Sequence, residues 1–401
     1  MYNTLGLESI SWLTRMERLG PINYDRLRWC TDDFGMAPED VGEHINVTPA
    51  RWKAVLGGEE GLTFAQLRSI ANFFNRGVLF FLEPGRVNEA EVRTPEFRSL
   101  TNNEPELAPE IKAIIERAER SRQTYLAMRE EVGEEPLATF RPPVVSVTDL
   151  PATTARVRAW LGLNEESAGQ RSFDYFRDKV EQKGVLVIRT TGYLGAWRFP
   201  PASTVIGFSL PERICPIVVV RGHAAEPRMT FTLMHEIGHL LLHGNGSIDR
   251  EPDLWARQGK EREANAFAGQ VLVPDYFLNQ IPPSAIPPGV STYDDALRQW
   301  YGAWGVSAEV LLRRLLDAGR IAIGDYEGYR EWRSAQPQRH PSGGNRSGRF
   351  KEPVQLFGRP YVRAVLTALR ARRISLNKAS GFLDNLRVND VFRLEKHLAS
   401  I

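Results

Sequence analysis

The chain has 401 residues, 42% hydrophobic and 25% charged, with 51 Lys and Arg against 49 Asp and Glu. That length supports two or three domains, each with its own core, while a net charge of +2 is too small to coat nucleic acid over the whole surface. No apolar run approaches the roughly 18 to 20 residues that span a bilayer, so no membrane helix is expected.

The N-terminus, MYNTLGLESISWLTRMERLG, has no basic region followed by an apolar block, which argues against a secretory signal and for a cytoplasmic protein. Cys30 and Cys215 lie far apart, each without a second cysteine nearby, and are expected as small buried hydrophobes, neither disulfide partners nor a metal pair. Residues 21–85 read as a compact helical domain that stops at FFLEPG, where Pro84 and Gly85 break the pattern. Residues 86–165 follow as a helical linker region. Within it Ile111, Ile114, Ile115, Ala118 and Tyr125 recur at helical spacing among many charges, which predicts a long, exposed connecting helix over 107–133.

From Ser172 the pattern changes to a helix, FDYFRDKVEQKG, and then to the short β-branched runs VLVIR, VIGFSL and PIVVVRG, which read as strands of a small sheet. Two helices follow, EPRMTFTLMHEIGHLLLHG and GKEREANAFAGQVLVP, then a proline-rich stretch and the helix WGVSAEVLLRRLLDAG, completing a domain over 166–325. The segment SAQPQRHPSGGNRSGRF marks a linker over 326–350, and 351–401 reads as two or three short helices. From Arg339 to Ile401, 13 Lys or Arg stand against 4 Asp or Glu, a basic tail able to meet DNA, an acidic partner protein or only water.

The chemistry concentrates in FTLMHEIGHLLLHG. His235 and His239 are four residues apart, so on a helix both point from one face and can place a ring nitrogen on one zinc ion. Glu236 then lies beside the open position, where a carboxylate can take a proton from water and pass it to a leaving amine. The rest of the helix is apolar, and two histidines buried there without a ligand would need other polar partners. A third ligand is expected from the following helix, which offers Glu261 and Glu263. Glu261 is favoured: it shares a face with Asn265 and Ala268, small residues there permit close helix packing, and Asn265 can hydrogen-bond the outer nitrogen of a ligating histidine. Glu263 points roughly 200° away, toward solvent. His243, one further turn on, is expected as an outer or helix-end residue.

These two helices, with GFSL, PIVVVRG and WGVSAEVLLRRLLDAGRI, resemble the ImmA/IrrE metallopeptidases over roughly Ser172 to Ile321. The resemblance implies a zincin-like domain with Zn2+ held by His235, His239 and Glu261, Glu236 as general base and acid, and site-specific cleavage of a transcriptional repressor. MAPEDVGEHINVTPARWKAVLGGEEGLTFAQLRSIANFF resembles the XRE-type helix-turn-helix, with Val41, Ile45, Val47, Trp52, Val55 and Leu56 inward and Thr48, Pro49, Arg51 and Lys53 able to reach a DNA groove or its phosphates. Glu59 and Glu60 beside them repel phosphate. EFRSL, at 96–100, resembles an element between the two domains of long family members. The expected fold is therefore α+β: an N-terminal all-α helix-turn-helix domain, a long linker helix, a zincin-like domain with a small sheet, and a helical C-terminal segment. Two functions are implied. One is a zinc endopeptidase acting on a repressor or other regulatory protein; the other is a regulator or antitoxin that binds a toxin partner and operator DNA, its zincin fold serving as a binding module. A homodimer follows if the N-terminal domain reads two half-sites.

Overall fold

The computed structural model describes residues 20–399 apart from 35–36, 46, 60, 75, 89–106, 164–171, 191–194, 245, 257 and 337–345. EFRSL and most of the Ser/Gly/Pro-rich linker lie outside the described residues. The chain forms two compact units, Met1–Thr94 with Glu106–Ala113, and Pro95–Pro105 with Ile114–Ile401.

The first unit is helical: α1 (Tyr24–Phe34), α2 (Val41–His44), α3 (Pro49–Leu56) and α4 (Phe64–Phe73). Its core gathers Leu27, Val41, Ile45, Val47, Trp52, Val55, Leu67, Ile70 and Phe81. Pro49 starts α3, where a missing N–H costs nothing. Trp52 lies against Gly42 and donates its indole N–H to the Pro38 carbonyl at 2.9 Å.

The second unit is built on a four-stranded sheet of β1 (Leu186–Arg189), β2 (Val205–Leu210), β3 (Ile217–Val220) and β4 (Ser247–Arg250), in the order β1-β3-β2-β4. β1 runs parallel to β3, and β2 runs antiparallel to both β3 and β4. β1 to β3 occupy the three apolar runs; β4, SIDR, is as long as β1 and β3 but too polar to carry a strand pattern, and its pairing with β2 makes it one. Helices α5 (Pro109–Glu131), α6 (Leu150–Leu161) and α7 (Phe173–Glu181) precede β1; α8 (Glu226–Gly238) packs on α9 (Gly259–Leu272), α9 on α10 (Ala308–Asp317) and α10 on α11 (Ile323–Ser334). Side-chain oxygens of Ser172 and Ser307 accept from backbone N–H groups to start α7 and α10, and Gly162 in the left-handed region ends α6. Leu233, Met234 and Ile237 of α8 are buried, each contributing about 1.5 to 3 kcal/mol by leaving water. Both cysteines are buried, and neither forms a disulfide. Among the described residues no helix is long and apolar enough to cross a membrane.

Two expectations are corrected. Helix α5 occupies the expected stretch but is not an exposed connector: Glu116, Glu119 and Ser121 are buried together with Ile114, Ile115, Ala118 and Met128, and Arg122 pairs with Glu212 at 2.6 Å. Its charges suggested a solvated surface, but the packed face is broader than its apolar stripe. The last turn of the histidine helix, His239–His243, is a π-helix rather than a continued α-helix, ended by Gly244 at φ 64°. Such turns are rare and cluster at functional sites.

The C-terminal segment forms α12 (Glu352–Arg370), α13 (Leu376–Phe382) and α14 (Val388–Ala399). Helix α12 packs on β1 and α7, so this segment completes the core of the second unit. It is broken at Gly358 (φ 82°, ψ 166°), which places Pro360 near the start of a fresh helical stretch. The buried Arg177 guanidinium satisfies carbonyls freed by the break, donating to Val354, Gln355 and Leu356 at 3.2, 2.7 and 3.1 Å and also to Val187 of β1. Its Nε donates to buried Glu181 at 2.8 Å. Burial first, opposed by Arg177, pushes the Glu181 carboxyl up to about 7. A Cβ on Gly358 would stand 2.0 Å from Glu181 Oε1 in a backbone region that disfavours side chains. Gly358→Ala is therefore expected to cost about 3 kcal/mol or more, measured by chemical denaturation.

Candidate metal centre

Helix α8 lies over β2 and β3 and packs closely on α9. Glycine permits the approach: a Cβ on Gly238 would stand 3.0 Å from Phe267 Cδ1 and 3.3 Å from Ala264 Cα. The contact brings the His235 and His239 face of α8 to the first turn of α9. His235 Nε2 and His239 Nε2 are 3.0 Å apart, and Glu261 Oε2 lies 3.2 and 3.4 Å from them. Both rings are buried, while the Glu261 side chain is 31% exposed, so the cluster opens on one side.

A fourth residue, absent from the sequence reading, completes the group: buried Asp249 of β4, with Oδ2 3.0 Å from His235 Nε2 and Oδ1 3.5 Å from His239 Nε2. One donor atom from each of His235, His239, Asp249 and Glu261 lies within 4.8 Å of the others. Its only sequence signal was an acidic residue between the two helices, which spacing alone does not single out.

Glu236 is fully buried between α8 and β2. Its carboxyl occupies the space that the missing side chain of Gly207 leaves, since a Cβ there would stand 2.7 Å from Glu236 Oε1. Ser247 Oγ donates to Glu236 Oε2 at 3.1 Å, and Oε1 has no hydrogen-bond partner. Burial, and then the neighbouring Asp249 carboxylate, hold Glu236 well above the usual carboxylic range. Burial works to lower His235, but Asp249 and Glu261 outweigh it and raise the ring to about 9. Burial likewise works to raise Glu261, while the two histidines overcome it and hold the carboxyl at about 2. The pocket thus favours positive charge at the nitrogens.

Of the outer residues, His243 takes the place expected of it and Asn265 does not. Asn265 bonds no histidine; its Nδ2 donates to the Asp253 carbonyl at 2.8 Å, which ties α9 to the turn after β4. His243 takes the outer position instead, with its Nδ1 3.0 Å from His239 Nδ1, and Glu263 turns back to His243 Nε2 at 3.0 Å. The tautomers follow in sequence. Glu263 accepts the His243 Nε2 proton, His243 Nδ1 accepts from His239 Nδ1, and His239 Nε2 is left with a lone pair facing the cluster. The π turn brings His243 into this line.

In the first unit, Thr48 and Lys53 are exposed at α3, whereas Arg51 is half-buried and donates to Gln66 Oε1 at 3.2 Å.

Residues 181–316 match the Peptidase M78 family model, described as the IrrE N-terminal-like domain. The chain is also similar to Uncharacterized immunity region protein 2 of Bacillus phage phi105, at 31% identity over 78 residues, 19% of this chain and 49% of the relative. It therefore spans about half the length of that curated relative.

Gly207→Ala, which would crowd Glu236 Oε1 and Thr232 Cγ2, is expected to lower stability by about 1 to 3 kcal/mol. Gly302→Ala, in a helix with nothing within 4 Å of the new methyl, should be neutral or stabilising by up to about 1 kcal/mol. Paired denaturation curves check the contrast.

Proposed function

We propose that the chain is a zinc-dependent endopeptidase acting on a regulatory protein such as a transcriptional repressor. The observation that carries this reading is the convergence of His235, His239 and Glu261 beside a buried Glu236. Tetrahedral ligands at 2.0 to 2.1 Å from zinc lie about 3.3 to 3.4 Å apart, and the three donor atoms here are separated by 3.0, 3.2 and 3.4 Å. The match to a peptidase family over 181–316 supports the same class. A bound zinc ion would supply a Lewis acid that polarises the scissile carbonyl.

The other roles fall to the protein's own groups. Glu236 takes a proton at Oε1 from the attacking water and returns it to the departing amine, while Ser247 holds Oε2 in place. Glu263 and His243 keep His239 in the ligating tautomer. β4 ends the sheet order, and an extended substrate strand can pair along its outer edge. The N-terminal unit locates the protein on operator DNA or on the regulator, with Thr48, Lys53 and Arg51 of α3 toward the groove. If it does so as a DNA reader, Lys53→Ala should weaken operator binding and reduce the slope of log affinity against log salt by about 1.

The alternative is a regulator or antitoxin that uses the same fold to hold a toxin partner. Glu236 favours the enzyme, because a binding surface has no use for a carboxylate buried away from any partner. Elemental mass spectrometry should find near one zinc per chain, lost in Glu261→Ala and retained in Glu263→Ala. Glu236→Gln should keep the metal and slow cleavage of a candidate repressor by about 10²- to 10⁴-fold. A partner whose fate is the same with Glu236→Gln would support the binding module instead.

A further inference from the structure

We propose that Asp249 is a fourth protein ligand that closes the metal centre in the resting chain, so that the folded protein is latent until β4 withdraws this carboxylate. The inference rests on the metal site just described and goes beyond its three ligands.

Asp249 faces the inner nitrogen of each histidine. Carboxylates that merely orient a ligating histidine bond its outer nitrogen, the one turned away from the ion. Asp249 does the opposite. Its oxygens approach His235 Nε2 and His239 Nε2, the same atoms that face Glu261. The outer nitrogens are accounted for otherwise: His239 Nδ1 meets His243, and His235 Nδ1 has no hydrogen-bond partner. A ligating Nε2 carries no proton to donate, so an oxygen 3.0 Å away faces lone pair against lone pair unless both point at one cation. Neither oxygen of this buried side chain receives a hydrogen bond of good geometry, although Glu236 as well as His235 lies against it.

The separations agree. The contacts of Asp249, 3.0 Å from Oδ2 to His235 Nε2 and 3.5 Å from Oδ1 to His239 Nε2, fall in the range of the 3.0, 3.2 and 3.4 Å that separate the other three donor atoms, and one donor atom of each of the four residues lies within 4.8 Å of the rest. Four protein ligands make a closed site of the structural kind, whereas catalytic zinc sites keep one position for water or substrate.

The fold also provides a way to open it. His235, His239 and Glu261 sit on α8, its π turn and α9, which pack on one another. Asp249 alone comes from β4, at the end of the sheet, paired with Gly207 beside a break in the β2–β4 register. A shift of β4 away from β2 would withdraw the Asp249 carboxylate and leave His235, His239 and Glu261 in place to hold the ion with one position open. No electron or covalent bond within the chain is transferred.

The test uses the full-length protein loaded with Co2+ in place of zinc, with azide as a small probe of an open coordination position. The native visible spectrum is expected to be insensitive to millimolar azide. Asp249→Asn, which preserves volume, and Asp249→Ala should both show an azide-dependent spectral change. Both should also bind the metal on the order of 10- to 100-fold more weakly, by competition with a chromophoric chelator. Native protein that binds Co2+ and responds to azide as the variants do would overturn the fourth ligand while leaving the three-ligand site intact. Native protein that binds neither Co2+ nor Zn2+ would overturn the metal site itself.

Discussion

The close approach of α8 to α9 is the contact on which the site depends. A side chain at Gly238 would meet Phe267 and Ala264 and press α9 away, drawing Glu261 back from the histidines. Gly238, between the two histidines, and Ala264, one turn beyond Glu261, remove the side chains that would hold the helices apart. The dipeptide that separates Glu236 from His239 thus has a packing duty of its own. It also explains why α9 turns its small residues inward and leaves only part of Glu261 exposed.

Much of this was legible in the sequence, because helix periodicity is a local property. The i, i+4 histidines, the apolar body of α8 and the two glutamates of α9 can each be placed on a face by counting, and α5 and the three apolar strands follow from the same arithmetic. Illegible were features set by what a segment meets in three dimensions. SIDR becomes a strand only because β2 lies beside it, and Asp249 joins the cluster only through that pairing. HLLLH carries no mark of a π turn, yet that turn is what sets His243 against His239 and Glu263. Asn265 was assigned to a histidine by helix spacing, yet the nearby Asp253 carbonyl offers its amide a better partner. The burial of Glu116 and Glu119 on α5 shows the same limit, since charge count alone does not reveal how wide a helix face is covered.

The electrostatics point to a pocket shaped by purpose rather than by stability. Glu236, Asp249 and Glu261 crowd around two buried imidazoles, and isolating such groups from water is costly unless opposite charge compensates them. The structure tolerates this concentration of carboxylates where a cation is wanted, and fixes orientation from outside it, with Ser247 donating to Glu236 on one side and His243 accepting from His239 on the other. Local conflict of this kind is what functional sites commonly show.

The clasp between Arg177 and the broken helix α12 has a consequence for what counts as a module. The stretch shared with the peptidase family ends at 316, and Arg177 lies just before it begins. The carbonyls that Arg177 holds come from 354–356, well past its end. Excised at the borders of the shared stretch, the sheet would lose the helix that covers β1, and Glu181 would keep its place without its counter-charge. The matched stretch is thus smaller than the piece whose edges are covered: cut to its borders, β1 would be left as a bare edge of the sheet.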